Sequence, residues 1–233
     1  MKTYNLQWYV DKLKKGEKFS LARYGDGEMY CMWGKQGQNS NGCRYSPELR
    51  EALLGSMNHK NDPTFIYGMQ RVLPQDKKRM EEQYPDIDWH DSEIFGEAVA
   101  NGELFPFIEQ LRKMEIVFIS NASIWDGVHK IFDCRKFKHI VTPMANTFDD
   151  YTIIDKIREE NYFYINSLKG KSNKVYLFSC GMAANAFIAE LHGKVDGWLI
   201  DIGHIWDPFT GNMSRCDLEG KTMEDIEKNL HDR

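Results

Sequence analysis

Residues 175–201 read VYLFSCGMAANAFIAELHGKVDGWLID, and this stretch decides the fold class. Val175–Ser179 is a short apolar run, Met182–His192 has apolar residues at helical spacing, and Trp198–Asp201 is a second apolar run. A strand, a helix and another strand in such close succession are typical of a crossover between two parallel strands. The stretch therefore predicts one unit of a parallel sheet.

The same alternation continues upstream of this unit. Two further strands are predicted at Ile116–Ser120 and His139–Thr142, and helical patterns follow them at Ser123–Phe132 and Asp149–Leu168. Repeated strand–helix units predict an α/β fold with a Rossmann-like, mostly parallel sheet flanked by helices.

The N-terminal half contributes more strands and a helical segment. Strands are predicted at Phe19–Arg23 and Thr64–Met69, while residues 74–114 have the pattern of a mostly helical insertion. A tail follows at about residues 208–233. At this length we expect the whole chain, residues 1–233, to form a single domain.

Composition narrows the class of protein. The chain has 233 residues, of which 42% are hydrophobic and 28% charged, which is typical of a globular protein and not of a disordered chain. No apolar run approaches the roughly 20 residues that cross a bilayer, and the first residues lack the apolar core of a secretory signal. Five cysteines without a CxxC pair predict free thiols in a reducing cytoplasm. The net charge of −5 gives no general attraction to nucleic acid.

Small and polar residues follow the predicted strands, where parallel sheets bind their ligands. Gly181 lies between a strand and a helix. It either permits close packing of the helix on the strand or lets a phosphate approach the unpaired amides of the helix start. Asn146 lies in the corresponding loop after another strand, either as a ligand-binding residue or as a turn or helix-cap residue.

The sharpest local feature is Asp26-Gly27-Glu28, read as a tight acidic turn after a strand. Two carboxylates separated by one glycine can converge on Mg²⁺ or Mn²⁺, which accept carboxylate oxygens and leave positions open for phosphates and water. An ordinary polar turn is the alternative. Arg23, just before this turn, either holds a phosphate or forms a surface ion pair.

A second polar group follows the last predicted strand. Asp201, His204 and Asp207 cluster there. A histidine in this setting can ligate a metal or move protons near neutral pH. A structural role for His204 is the alternative.

Four segments, in this order along the chain, resemble motifs of the GT-D-type glycosyltransferases. They are residues 19–28 with an Asp-x-Glu element, residues 140–148 with a Pro-x-x-Asn element, residues 179–184 with a glycine turn before a long helix, and residues 201–204 with an Asp-x-Gly-His element. Together they span about residues 18–207.

The resemblance implies a metal-dependent glycosyltransferase. It would move a sugar from a nucleotide diphosphate sugar, first of all a UDP-sugar, to a saccharide or another hydroxyl acceptor. The implied ligands of Mn²⁺ or Mg²⁺ are Asp26, Glu28 and His204. The implied donor-binding residues are Arg23, Gly25, Asn146, Gly181 and Met182. The candidates that take the acceptor proton are Asp201, His204 and Asp207.

Three other functions stay open on the sequence. The acceptor could be a hydroxylated base in DNA, with Trp33, Trp89 or Trp125 as stacking surfaces, although the acidic charge balance counts against it. A non-catalytic nucleotide-sugar-binding protein would keep the phosphate turn without transfer activity. A metal-dependent phosphohydrolase would release inorganic phosphate or a sugar phosphate.

Overall fold

A seven-stranded parallel sheet organises the part of the chain that the computed structural model describes, residues 4–39, 42–132, 137–167, 172–213 and 218–231. Its strands are β1 (Ser20–Tyr24), β2 (Phe65–Met69), β3 (Trp89–Asp91), β4 (Glu115–Ser120), β5 (Phe137–Val141), β6 (Lys174–Ser179) and β7 (Trp198–Asp201). The order across the sheet is β3-β2-β1-β7-β6-β4-β5, and each neighbouring pair is parallel. The predicted α/β class is confirmed, and the sheet is parallel throughout.

Helices connect the strands and cover both faces of the sheet. They are α1 (Leu6–Lys15), α2 (Asp26–Met32), α3 (Pro47–Ser56), α4 (Pro74–Gln83), α5 (Ile94–Asn101), α6 (Phe105–Leu111), α7 (Trp125–Ile131), α8 (Thr152–Ser167), α9 (Ala183–Leu191) and α10 (Met223–Glu227). Their ends follow local chemistry. The Ser46 side chain caps α3 by accepting a hydrogen bond from the Leu49 amide at 3.1 Å, and Gly16 ends α1 in the left-handed conformation at φ 72°.

Two hydrophobic clusters lie on opposite faces of the sheet. Successive side chains of β1 alternate between them, with Leu21 in one cluster and Ala22 in the other. The first cluster includes Phe107 of α6, and the second includes Phe187 of α9. Each apolar face of the sheet is therefore covered by helices, as a parallel sheet requires.

Two predictions about local structure need correction. Residues 74–114, predicted as a helical insertion, contain the edge strand β3 between helices α4 and α5. Pro106 lies in the first turn of α6, where its missing amide hydrogen costs nothing. Residues 26–28 do not form a turn, because they are the first turn of α2.

The sheet opens between β1 and β7 at its carboxyl edge. Pairing of these strands is confined to Ser20 with Leu199 and Leu21 with Ile200, whereas β1 pairs with β2 as far as Tyr24. Beyond Leu21, the backbone of β1 is therefore not paired with the backbone of β7. This gap is the crevice in which a parallel sheet is expected to bind a ligand.

Among the described residues, the helices are too short or too polar to cross a bilayer.

Candidate active site

A cavity of about 320 Å³ lies at the carboxyl ends of β1, β2 and β7. Its charged and glycine lining residues are Arg23, Asp26, Gly27, Glu28, Gly181, Asp201, Gly203 and His204, and its neutral polar ones are Tyr30, Gln38, Asn39, Tyr45 and Gln70. Small-molecule sites occupy about 300–1,000 Å³, so the cavity has the size of a ligand site. Six of the predicted site residues line it: Arg23, Asp26, Glu28, Gly181, Asp201 and His204.

Arg23, at the end of β1, is a buried cation beside the cavity. It is only 6% exposed, and its guanidinium Nη2 lies 3.6 Å from Oδ1 of Asp201 at the end of β7. Its Nε is buried without a hydrogen-bond partner. Burial of an unpaired charged donor is costly unless a ligand or another group satisfies it. Of the two alternatives for Arg23, the surface ion pair is wrong: the pair with Asp201 is buried and leaves Nε without a partner.

Two glycines make the room for this arginine. A Cβ at Gly203, whose φ is +51°, would lie 1.9 Å from Nη2 of Arg23. A Cβ at Gly68 of β2 would lie 3.2 Å from Cγ of the same side chain. The absence of side chains at both positions lets the arginine lie along the carboxyl edge of the sheet.

Asp201 is an acceptor for its neighbours. Oδ1 accepts a hydrogen bond from the Gly203 amide at 2.9 Å. Burial raises the pKa of Asp201, while the nearby Arg23 charge and the Gly203 amide act in the opposite direction. This carboxyl group is therefore engaged in orienting Arg23 and the loop after β7.

Asp26 and Glu28 both line the cavity but occupy different environments. Asp26 is exposed, and its Oδ1 accepts a hydrogen bond from the Gly27 amide at 2.8 Å. Glu28 is partly covered, and its Oε2 accepts one from the Gly25 amide at 2.8 Å, which caps α2. Burial raises the pKa of Glu28 to about 7, assisted by the negative charges of Asp201 and Asp26.

The three predicted metal ligands are not gathered into one cluster. Asp26 and Glu28 are two residues apart on a helix, so their side chains do not face each other directly, and His204 follows a different element, the strand β7. Within the described ranges, no three His, Cys, Asp or Glu side chains are grouped closely enough to ligate one ion. The donor chemistry nevertheless fits Mg²⁺ or Mn²⁺, which are commonly held by one or two carboxylates together with substrate phosphates.

His204 and Asp207 form a pair at the wall of the cavity. The Nδ1 atom of His204 lies 3.2 Å from Oδ2 of Asp207, the first residue of a short 3₁₀ segment. Asp207 is not among the described residues that line the cavity, whereas His204 is. A proton held on Nδ1 by Asp207 leaves Nε2 as the nitrogen that can accept a proton or bind a metal.

Two short described segments, residues 37–39 and 42–45, border the cavity and are together called the hairpin. Gln38 and Arg44 form an antiparallel bridge within it, and the Arg44 amide donates a hydrogen bond to Oδ1 of Asn146 at 2.9 Å. Asn146 has a φ of 53°, a left-handed conformation that Asn tolerates. Its predicted ligand-binding oxygen is thus engaged with this hairpin.

The hairpin also borders a second, smaller cavity of about 20 Å³. Asn146 lines this cavity, and Asn39, Gly181 and His204 line both cavities. The two spaces therefore share part of their walls.

The remaining predicted donor-binding residues are placed differently. Met182 is fully buried, and its sulfur packs 3.5 Å from where a Cβ of Gly27 would lie. It follows Gly181, which has a φ of +63°, and this turn directs the next side chain into the core. Gly25 lines neither cavity; a Cβ there would lie 3.3 Å from Oε2 of Glu28, so the glycine leaves room for the cap.

The neutral polar residues that line the larger cavity were not predicted from the sequence. Gln70 directly follows β2, so the same strand-end rule points to it. Gln38 and Tyr45 lie on the hairpin, which has no periodic pattern in the sequence. No sequence signal marked these two residues.

Comparisons with known proteins bear on the fold. No protein-family model matches the chain, and the search of curated proteins gives no match. A solved structure described by the words "the highly conserved domain of unknown function 1792 has a distinct glycosyltransferase fold" covers 88% of this chain and 79% of its own, with a TM-score of 0.58 and 18% identity. This chain has a glycosyltransferase-like fold. The predicted resemblance is supported at the level of the fold, and membership of the GT-D-type family stays a prediction.

Within this glycosyltransferase-like fold, the cavity lies where its class of sheet binds ligands. Three of the segments that suggested the resemblance meet at one edge of the sheet, with Arg23 at the end of β1, Gly181 after β6 and His204 after β7. Their order along the chain differs from their order in space because β1 lies next to β7. The topology brings the N-terminal and C-terminal motifs together.

Proposed function

We propose that the chain is a metal-dependent glycosyltransferase that moves a sugar from a nucleoside diphosphate sugar, with UDP as the expected leaving group, to a hydroxyl acceptor. The observation that carries the proposal is the environment of the Arg23 side chain. A buried guanidinium with an unpartnered Nε lines a cavity that also carries Asp26 and Glu28. A diphosphate supplies the negative charge and the acceptor oxygens that a guanidinium binds.

The diphosphate would bind between Arg23 and the turn at Gly181. Cleavage of a sugar–phosphate bond leaves negative charge on the departing diphosphate, and fixed donors that face this charge lower the barrier. Arg23 supplies a fixed positive charge. Gly181 leaves the backbone open on one side, since the nearest atom to a Cβ there is Nδ2 of Asn39 at 4.0 Å.

Asp26 and Glu28 are the residues that would hold Mg²⁺ or Mn²⁺. A bound divalent cation supplies positive charge that neutralises the leaving diphosphate. The two carboxylates border the same cavity as Arg23. Without a cation they would repel the diphosphate.

His204 is the residue that we propose for the acceptor proton. It lines the cavity, and Asp207 orients its ring through Nδ1. Asp201 is less suited to this step because its Oδ1 accepts the Gly203 amide and lies beside Arg23. Asp207 acts through His204 in this scheme and does not contact the acceptor.

A saccharide acceptor is favoured over DNA by the neutral residues of the cavity. The side chains of Gln38, Tyr45 and Gln70 line the cavity, and each can both donate and accept a hydrogen bond, as a sugar hydroxyl does. The stacking surfaces that DNA would need are engaged elsewhere: Trp89 is 2% exposed, Trp125 is stacked on His139 with ring centroids 4.9 Å apart, and Arg79 lies 4.0 Å from the Trp33 ring centroid.

The first experiment measures binding of UDP-sugars with and without a divalent cation. We expect stabilisation of about 2.7 kcal/mol at a ligand concentration near 100 times the Kd in Mn²⁺, and little in excess chelator. Differential scanning fluorimetry and calorimetry measure this difference. Equal affinity in Mn²⁺ and in chelator would contradict the role of Asp26 and Glu28.

Product analysis separates the proposed transferase from the other two functions. A transferase releases UDP in step with glycosylated acceptor. A binding protein retains the donor unchanged, and a phosphohydrolase releases inorganic phosphate or a sugar phosphate without an acceptor. Supplying saccharide and DNA acceptors in parallel tests the acceptor class.

Replacing His204 by Gln tests its proposed catalytic role. As a general base it contributes roughly 10²–10⁴-fold to turnover, so we expect that loss in kcat with donor affinity unchanged. Asp207→Asn should show a smaller loss in kcat, because the ring remains but its orientation weakens. A fall in donor affinity together with a higher Mn²⁺ requirement would instead identify His204 as a metal ligand.

A further inference from the structure

The backbone of Arg23 is not paired with the neighbouring strand β7. Strand β1 pairs with β7 at Ser20 and Leu21 but not beyond, although its pairing with β2 continues to Tyr24. Backbone groups of alternate residues in a strand point to the same side, so those of Arg23 point, like those of Leu21, toward the β7 side. The opening of the cleft therefore removes the partners that Arg23 would have in an unbroken sheet.

The side chain of Asn185, on α9, replaces them. Its Oδ1 accepts a hydrogen bond from the Arg23 amide at 3.1 Å, and its Nδ2 donates one to the Arg23 carbonyl at 2.8 Å. Asn185 is 1% exposed. One carboxamide thus satisfies both backbone groups of Arg23, as a residue of a neighbouring strand would.

The position of the Arg23 side chain depends on this backbone. The contacts of its guanidinium with protein groups are few: the ion pair with Asp201 is 3.6 Å long, and Nε has no partner. Its direction is set largely by where the Cα lies and by the space left at Gly203. A small shift of the strand end would move the guanidinium within the cavity.

We propose that Asn185 is a positioning residue, which holds the open end of β1 and thereby aims the Arg23 guanidinium at the donor diphosphate. The assignment of that diphosphate to Arg23 rests on the proposed function. The pinning of Arg23 by Asn185 does not, so two separate measurements test the two statements.

The variant Asn185→Ala removes both hydrogen bonds and keeps a good helix former in α9. The matched control is Asn229→Ala. Asn229 is also fully buried, and its carboxamide also bridges a backbone amide and a carbonyl, accepting from Leu104 at 2.8 Å and donating to Val99 at 2.9 Å, outside the cavity. Asn185→Asp, which keeps the acceptor for the Arg23 amide, is the second variant should the alanine variant not fold.

The first measurement needs no ligand. The Nε–Hε resonance of Arg23, assigned by its loss in Arg23→Lys, reports the order and solvent protection of the guanidinium. We expect a sharp, protected signal in the wild type and in Asn229→Ala, and a broadened or rapidly exchanging one in Asn185→Ala. An unchanged signal in folded Asn185→Ala would overturn the proposal.

The second measurement is a double-mutant cycle with UDP and Mn²⁺ as the probe. Asn185→Ala should weaken UDP binding by about tenfold in the wild-type background and by less than about twofold in the Arg23→Lys background, because interacting residues are not additive. Asn229→Ala should leave UDP affinity unchanged in both. Equal losses in the two backgrounds would show that Asn185 does not act through Arg23 and would overturn the proposal.

Failure of the proposed function gives a different pattern. Wild-type protein that binds no UDP, with the Arg23 resonance still dependent on Asn185, would refute the nucleotide site and leave the pinning of Arg23 established.

Discussion

Glu28→Gln is expected to lower transfer activity by roughly 10²–10³-fold, the scale of losing one group that stabilises the leaving charge, and to make the metal-free protein more stable above pH 7. The activity falls because the variant loses the negative charge that attracts the cation. The glutamine still has the oxygen that accepts the Gly25 amide and caps α2. Stability rises for a separate reason. The folded protein keeps a proton on Glu28 up to a pKa of about 7, whereas an unfolded glutamate has a pKa of about 4.3.

The sign of the pH effect follows from proton binding. Between about pH 4.3 and pH 7 the unfolded chain releases the Glu28 proton while the folded chain retains it, so wild-type stability falls as the pH rises through this window. A glutamine has no proton to lose. The melting temperature of Glu28→Gln minus that of the wild type should therefore grow from pH 4 to pH 8, when both are measured in chelator.

A control separates this effect from general charge removal. Glu82→Gln removes an exposed carboxylate on α4, which pairs with Lys78 at 3.7 Å, and should change neither activity nor the pH trend. A melting difference for Glu28→Gln that stays constant from pH 4 to pH 8 would contradict the raised pKa.

Gly203→Ala should weaken binding of UDP with Mn²⁺ by roughly 10–100-fold, which is the value of one or two hydrogen bonds from a charged group. A Cβ at this position would lie 1.9 Å from Nη2 of Arg23, so the guanidinium has to move away. The backbone cost of a left-handed alanine adds about 1–2 kcal/mol of destabilisation. Calorimetry measures the affinity, and chemical denaturation measures the stability.

Gly193→Ala is the matched control for backbone strain. Gly193 also has a left-handed φ of +71°, but a Cβ there would have no heavy atom within 4 Å. This variant should lose a similar amount of stability and keep its affinity for UDP. If both variants lost affinity equally, strain and not displacement of Arg23 would be the cause.

The fold was predictable because β4, β6 and β7 are strongly apolar and a single helix, α9, connects β6 to β7. The strand-end rule then located much of the site, since Arg23 lies at the end of β1, His204 follows β7, and both strands reach the same edge. Strand β3 was missed because three residues, Trp89–Asp91, are too few to show a period of two. Its membership of the sheet comes from pairing with β2, which is a tertiary contact.

The parts of the site that failed prediction depend on orientation. The order Asp-Gly-Glu is compatible with a turn or with the first turn of a helix, and the capping hydrogen bond from the Gly25 amide to Glu28 favours the helix. Met182 is one residue beyond Gly181, yet it points into the core. The sequence does mark Asn185, because it is the single amide in the otherwise apolar first two turns of α9.

The position of β1 between β2 and β7 has a consequence for synthesis on the ribosome. β1 is the first strand to emerge, but its partner β7 is the last. At translation rates of about 5–20 residues per second, β1 waits roughly 10–30 s for that partner. During this interval β1, an interior strand of the finished sheet, lacks its neighbour on one side. Arg23 and Asp201 therefore meet only after β7 has been made, and β1 joins β7 after β4, β5 and β6 have been made.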